Sequence, residues 1–533
     1  MKMKTIVSFL LALLLVVSGV FGTLVACAET EYTFSYEKVE GGVCVTQIVG
    51  SGILHKIPAS VVIPDTIEDL PVVAIGTEAF KSRSGMTSVS IPKTVTSIGD
   101  GAFFYCIKLT SITLPENLVS IGEGAFASCS GLTAIQIPES VTFIGTRAFD
   151  GCESLKTANL PVGLVSLGEK AFYGCKVLES AIVIPEGIDE IGNQTFYGCE
   201  KIPSVTIGDH VAVIGDYAFK NCGSLTSVEV PTSVIELGYA AFSQCKKLTE
   251  VTIGNSMEMG MLNSVFENSP VKTLSILKVE DTITYNFING MHLSKVESIT
   301  ISDGVTTIEE GAFLNLKELA QLNIPDSVTN IGDGILNGTR LYDTASNWDN
   351  GVLYVGNHLI DVKTNCESDL TLRDGVLTIA KGAFNGNILS PSAVTVLRIP
   401  DSVKFIGDET FGGCYNMEAV IYNGSEEQWK AVNVGRSNEK LTDLVPIYTA
   451  GGSYGDVNID KKIDAKDALE ILKNAVDKVK FNLRQTIVSD VDVDGKINAK
   501  DALNVLKKAV GKIEWFPVEL AAQTPDVTPT DIQ

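Results

Sequence analysis

Phenylalanine recurs through the first half of the chain at an almost constant interval. Phe80, Phe103, Phe126, Phe149 and Phe172 are 23 residues apart, Phe196 follows after 24, and Phe219 and Phe242 after 23 each. A period this short restricts the chain to architectures in which one small unit stacks on the next. Each copy has the same internal order, seen in Leu109-Thr-Ser-Ile112-Thr-Leu114-Pro115, then Leu118, Val119 and Ile121-Gly122, then Ala125-Phe126 and Cys129. The alternation of Ile112 and Leu114 reads as a short strand with one buried face. Pro115 has no amide hydrogen to donate and ends the ladder, while the glycine after Ile121 permits a backbone conformation that other residues resist. One strand, one turn and one tight return cannot bury an apolar face alone, so burial comes from neighbouring copies.

The pattern Phe126-x-x-Cys129-x-x-Leu132-x-x-Ile135-x-Ile137 follows the leucine-rich-repeat template, with Phe in place of one Leu and Cys at a polar-ladder position. It resembles the BspA-like leucine-rich repeats of bacterial surface proteins. The resemblance runs through residues 70 to 270 and returns around Ile308 to Phe313, Ile379 to Phe384 and Ile406 to Phe411. It implies an α/β repeat solenoid of short strands joined by tight turns or short helices, spanning residues 70–414. Asn350-Gly351 and Gly356-Asn357 mark a hairpin, Val352 to Ile360, inside an insertion at about 341–369. Residues 29–69 and 415–450 depart from the repeat and read as end caps, which a solenoid needs to stay soluble.

Seven cysteines, Cys106, Cys129, Cys152, Cys175, Cys199, Cys222 and Cys245, occupy one slot in successive copies. Stacked strands are about 4.8 Å apart, whereas a disulfide holds its Cβ atoms near 3.8 Å. An odd number in one row also argues against pairing. These residues are expected to be reduced and packed inside the turns. With no C-x-x-C pair in the chain, zinc ribbons and thioredoxin-like motifs are excluded.

If Ile112 and Leu114 face inward, Ser111 and Thr113 face outward. Equivalent outward pairs are Ser88 and Ser90, Ala134 and Gln136, Thr157 and Asn159, Ser204 and Thr206, Ser227 and Glu229, and Glu250 and Thr252. This face is small and polar, without the aromatic platforms that sugar binding uses, and it leaves protein binding or a plain spacer as its role. The formal charge of -23 and the lack of a basic block exclude a nucleic-acid partner. Lys2 and Lys4, the apolar run Ile6 to Val17 and the small residues Ala26-Cys27-Ala28 read as an export signal over 1–28. Leu24-Val25-Ala26-Cys27 also fits lipid attachment at Cys27. No segment has the about 20 apolar residues that a membrane span requires.

After Gly451-Gly452-Ser453-Tyr454-Gly455, read as a linker, a duplication offset by 34 residues begins. The first copy places oxygen side chains at Asp456, Asn458, Asp460, Asp464 and Asp467, with the backbone carbonyl of Lys462 between them. The second places Asp490, Asp492, Asp494, Asn498 and Asp501, with the carbonyl of Lys496. These are loop positions 1, 3, 5, 9 and 12 plus the position 7 carbonyl, the arrangement that wraps six or more oxygens around calcium. Ile463 and Ile497 are expected to pair across a short bridge. Helices are expected over Ala468 to Val476 and Ala502 to Val510, with Leu469, Leu472 and Val476, and Leu503, Leu506 and Val510, at helical spacing. Position 12 is Asp instead of Glu, no helix enters the first loop, and Lys461 stands where an EF-hand has Gly.

At these residues the segment 456–516 is similar to a type I dockerin, the module that binds cohesins in cellulosomes. The resemblance implies two Ca2+ ions and a cohesin surface made of Ala465, Lys466, Leu472 and Lys473 with Ala499, Lys500, Leu506 and Lys507. Residues 517–533 read as a disordered tail. The resemblances together imply a secreted, extracellular, non-catalytic accessory held on a cellulosome or cell surface through cohesin. Association with polysaccharide degradation follows, as does a possible protein ligand of the repeats. The alternative is a polysaccharide-degrading O-glycosyl hydrolase with an unrecognised site. Gly451-Gly452-Ser453-Tyr454-Gly455 matches G-x-S-x-G only outside a strand-turn-helix elbow, and His55, His210, His292 and His358 are scattered, so no catalytic residue is assigned.

Overall fold

The computed structural model describes residues 25–26, 32–50, 57–255, 264–385, 393–444, 446–450 and 453–519. The export signal apart from 25–26, Cys27, His55, Gly451-Gly452 and the tail from 520 lie outside them. The chain forms two compact units, Met1–Val279 with Asn286–Ile299, and Glu280–Tyr285 with Thr300–Gln533.

The first unit opens with an antiparallel hairpin, Tyr32–Val39 against Gly42–Gly50, whose second strand pairs in parallel with Leu70–Ile75. The hairpin closes the edge that the first coil would leave open, in the region expected to be a cap. From Leu70–Ile75, the short strands Ser97–Ile98, Ser120–Ile121, Phe143–Ile144 and Ser166–Leu167 continue the parallel ladder. A second ladder runs through Ser60–Val62, Ser88–Ser90 and Ser111–Thr113 and is carried on by single bridges through Ala134 and Thr157. Each partner lies one repeat away in sequence, so the period becomes the register. Turns, not helices, form the returns of these coils. Most outward residues are exposed as expected, Ser111 and Thr113, Ala134 and Gln136, Ser204 and Thr206, and Ser227 and Glu229 among them, whereas Ser88, Asn159 and Thr252 are half-buried.

A spine of phenyl rings fills the interior. Nine rings from Phe80 to Phe266 stack in sequence with centroids 5.0 to 5.8 Å apart and planes within 18° of parallel. Identical side chains repeated at strand spacing have little alternative to stacking, and all nine are buried. The backbone is tied alongside them, Phe126 N–H donating to Ala148 O and Phe149 N–H to Ala171 O of the next coil, both at 2.8 Å.

Gly122 serves a different purpose from the one its position suggested. Its φ is not positive; a Cβ there would lie 2.7 Å from the Asp100 nitrogen of the preceding coil. The residue is glycine so that coils can approach. Left-handed conformations fall two residues later, at Gly124, Arg147, Lys170 and Gln194.

The seven ladder cysteines are free and buried. Beyond packing, each thiol donates to the carbonyl of the phenylalanine one coil back: Cys106 to Phe80, Cys129 to Phe103 and Cys152 to Phe126, at 3.1 to 3.2 Å, and so on to Cys245 with Phe219 at 3.2 Å. In the following coil Ser269 takes the same place, its hydroxyl donating to Phe242 O at 2.7 Å. Burial pushes the Cys106 thiol up to about 11 and the Cys245 thiol to about 12, and those between them upward as well. They are therefore neutral donors and poor nucleophiles.

In the second unit, Thr282–Ile283, Thr307–Ile308 and Asn330–Ile331 form a parallel ladder. The insertion is the expected hairpin, Val352–Val355 against His358–Val362, preceded by a left-handed pair at Asn350 and Gly351. His358–Val362 then pairs in parallel with Thr378–Ile379, which restores the array. Residues 415–450 do more than cap. Ala419–Asn423 and Ile447–Tyr448 extend one ladder and Asn433–Val434 the other, so this segment supplies the final coil.

Two measurements follow from the cysteine geometry. Thiol labelling in native buffer should be slow at the seven ladder positions and complete in denaturant. Cys222→Ser, which keeps a donor for Phe196 O, should be more stable than Cys222→Ala by about 1 kcal/mol, read from urea midpoints. Equal midpoints would show that the thiol bond contributes nothing.

Candidate functional site: the duplicated acidic loops

Both loop helices begin three residues earlier than the apolar spacing indicates, at Ala465–Ala475 and Ala499–Ala509. The cause is a capping box built from the loop itself. Asp464 and Asn498 are the N-caps, accepting from Lys466 N and Lys500 N, and Asp467 and Asp501 reach back to the cap backbone from the third helical position. Loop positions 9 and 12 thus terminate the loop and start the helix together, and the carboxylate sits where the helix dipole favours it.

The loops are drawn inward by backbone donors. Asp467 Oδ1 accepts from Val457 N at 2.9 Å and Asn458 N at 3.2 Å, and its Oδ2 accepts from Asp464 N at 2.9 Å. Asp501 repeats this with Val491 N at 3.1 Å and Asn498 N at 3.0 Å. At position 1, Asp456 accepts from Asp460 N and Lys461 N, and Asp490 from Asp494 N and Gly495 N. At position 5, Asp460 and Asp494 accept from Lys462 N and Lys496 N. Asn458 Oδ1 accepts from Asp460 N at 2.9 Å. Lys461 reaches the left-handed conformation that Gly495 adopts in the second loop, with φ of 65° and 75°. The first loop therefore closes without the usual glycine.

Backbone donors thus hold most of the ligand-type side chains in both loops, Asp492 excepted. Asp490, Asp492 and Asp494 bring carboxylate oxygens within 4.8 Å of one another. Asp492 is turned inward; one of its oxygens meets no donor and the other is approached by the Lys500 ammonium at 2.7 Å. Desolvation raises the pKa of Asp456 and Asp490, and it pushes Asp501 up to about 6. Such acidic groups gain from a nearby cation. An all-oxygen set of carboxylates, amides and carbonyls fits a hard divalent ion such as calcium.

The helical apolar residues face opposite ways from a core stripe. Ala468, Ile471, Ala502 and Val505 are buried, while Leu469, Leu472, Val476, Leu503, Leu506 and Val510 are exposed. Ala465, Lys466, Ala499 and Lys500 are exposed beside them, and Lys473 and Lys507 are half-buried. Each half of the module thus carries an apolar row next to an Ala-Lys pair.

Three features departed from expectation. Ile463 and Ile497 form no bridge and instead pack against the module core. A helix at Leu483–Ser489 precedes the second loop, and its signal was present in Asn482 and Gln485, which form a capping box. The module also extends past 516: Glu519 is fully buried, accepts from Phe516 N at 2.7 Å and pairs with Lys508. Its tail can start only after that residue. The Ser453 hydroxyl oxygen accepts from Tyr448 N at 3.0 Å, which ties this segment to the last strand of the solenoid.

Family models for the BspA type Leucine rich repeat region match residues 73–183, 178–294 and 289–418. The chain belongs to the BspA-type leucine-rich-repeat family. Residues 454–510 match the Dockerin type I domain, a calcium-binding module whose partner is cohesin, and neither matched family is catalytic. Among solved structures, a leucine-rich repeat protein from Bacteroides ovatus is 24% identical, with 77% of this chain and 97% of that one covered and a TM-score of 0.43. The T. pallidum leucine-rich repeat protein is 29% identical over 40% of this chain and 87% of its own, with a TM-score of 0.32. A leucine-rich cell surface protein from Faecalibacterium prausnitzii is 22% identical, covering 77% and 97%, also with a TM-score of 0.32. At these TM-scores the fold rests on the repeat geometry and the family models instead. No curated protein matches the chain. Among the described residues no helix is long and apolar enough to cross a membrane.

The clamp made by position 12 gives a direct expectation for this dockerin. Asp467→Ala strands three backbone donors, at about 1–3 kcal/mol for each one left buried and unsatisfied. Even in saturating calcium the dockerin signals should then be lost from an NMR spectrum. A spectrum that stays folded would reduce Asp467 to a replaceable ligand.

Proposed function

We propose that this BspA-type protein is a secreted, non-catalytic accessory that docks through its dockerin onto a cohesin of a cellulosome or cell-surface scaffold. The repeats are then a presented surface for a protein ligand, in a setting of polysaccharide breakdown. The observation that carries this reading is the likeness of the two exposed half-surfaces. Ala465-Lys466 with Leu472-Lys473, and Ala499-Lys500 with Leu506-Lys507, stand at matching places on matching helices.

In this reading each loop holds one Ca2+. The first ion is held by Asp456, Asn458, Asp460, the Lys462 carbonyl, Asp464 and Asp467. The second is held by Asp490, Asp492, Asp494, the Lys496 carbonyl, Asn498 and Asp501. Calcium supplies the charge that lets these carboxylates converge, and the chain supplies the helix starts that fix the two apolar rows. Calorimetric titration should give two ions per chain; one ion would remove the first loop, where Lys461 replaces glycine, from the site.

Because the half-surfaces match, exchanging them by a half-turn presents nearly the same contacts to cohesin. Losing one of two equal orientations weakens binding by a factor of two, about 0.4 kcal/mol. Glutamates at Ala465 and Lys466 should therefore barely affect cohesin binding, and the same holds for Ala499 and Lys500. Both pairs together should abolish it in a surface-immobilised cohesin array. If either pair alone removes binding, a single fixed orientation is in use.

A further inference from the structure

The outward face of the solenoid changes character at its last coils. On the strands Val396–Pro400, Ala419–Asn423 and Ile447–Tyr448, the register aligns Val396 with Ala419, Arg398 with Ile421, and Ile421 with Ile447. Side chains alternate across a strand, so Leu397, Ile399, Val420 and Tyr422 belong to the other face. In earlier coils the outward positions are polar and exposed, as at Ser227 and Glu229. Here Val396, Ala419, Ile421 and Ile447 are apolar and buried.

What buries them is the dockerin. These four residues belong to one apolar cluster with Tyr454, Val457, Ile471, Val491, Val505 and Phe516 of the module. Polar contacts frame the seam. Arg398, held in a bidentate pair with Asp369 at 3.0 Å, places its positive charge beside the Tyr454 hydroxyl. Lys461 of the first loop reaches Glu426 of the solenoid at 3.2 Å. The segment expected to be a linker joins this seam at its C-terminal end: Tyr454 is buried, and Gly455, with φ of 84°, has no room for a Cβ beside the Phe516 ring, 2.8 Å away.

We propose that the dockerin has a second function, as the calcium-dependent C-terminal cap of the solenoid. This rests on the calcium reading of the loops given above. The ions order the loops, the loops start the helices, and the helices hold the apolar core that covers Val396, Ala419, Ile421 and Ile447. Loss of calcium uncovers that face, and the last coils open with the module. The exposed rows at Leu469, Leu472, Val476, Leu503, Leu506 and Val510 are not used by the seam, so capping and cohesin binding coexist.

Hydrogen exchange by mass spectrometry on the full chain tests this, with calcium or with chelator. Strands 396–400 and 419–423 should lose protection together with residues 456–516. At calcium 100 times its dissociation constant, an opening that releases one ion is slowed on the order of 100-fold. Strands of the first unit, such as Ser111–Thr113, should keep their rates. Faster exchange in the dockerin with unchanged rates at 396–423 would overturn the cap and leave the calcium reading intact. Unchanged rates in both, with no calcium bound by titration, would overturn both. Separately, because coupling is reciprocal, Ile421→Thr and Ile447→Thr should each raise the calcium dissociation constant, by at most the factor through which calcium protects these strands. Unaltered calcium affinity in both variants would also sink the proposal.

Discussion

Everything in the repeat array depends on the contact between one coil and the next. A single coil has too few residues to enclose Phe126 or Cys129, and each becomes buried only because an identical slot arrives one strand spacing further on. Three interactions use that translation at once. Phenyl rings stack face to face, amides bond across coils, and each thiol reaches back to the previous phenylalanine carbonyl. The glycines at Gly122 and its equivalents set how near two coils can come. An interface of this kind has no natural stopping point, so each end must be built differently.

The two ends are closed by different means. At the start, the antiparallel hairpin 32–50 occupies the open strand edge, which would otherwise offer unpaired amides to another chain. At the other end it is the sheet face, with its apolar patch on 396–447, that needs cover. The dockerin supplies it. A small module gains from the arrangement too, since a domain of this size buries a limited share of its own surface.

Much of this was legible because periodicity survives in sequence. The 23-residue interval fixed both the register and the inward positions, and the hairpin at 352–360 announced itself through Asn350-Gly351. The acidic duplication marked the loops by spacing alone. What failed to show was anything determined by a partner surface. Leu469 and Leu472 have helical spacing suited to a core, yet they face solvent because the neighbouring Ala468 and Ile471 face the module core. Val396, Ala419 and Ile421 look like ordinary strand residues, and only the module packed on them shows that their face is outward. Gly451 to Gly455 has linker composition, but Tyr454 anchors it. The thiol bonds were missed for a related reason: a cysteine reads as a small apolar residue until the carbonyl opposite it is known.

Anchoring changes what a near-symmetric dockerin means for this chain. On a flexible tether, the two cohesin orientations would be equivalent for the rest of the protein, since the linker would absorb the half-turn. With the dockerin seated on strands 396–447, the half-turn is transmitted to the coils of the second unit. On the proposed two-orientation reading, binding modes that are alike to cohesin therefore point those coils in different directions. The symmetry is also broken locally, because Lys461 of the first loop pairs with Glu426 of the solenoid while its counterpart Gly495 has no side chain to do so. Lysine at that position, a departure from the loop pattern when read alone, is thus part of the contact that joins loop to solenoid.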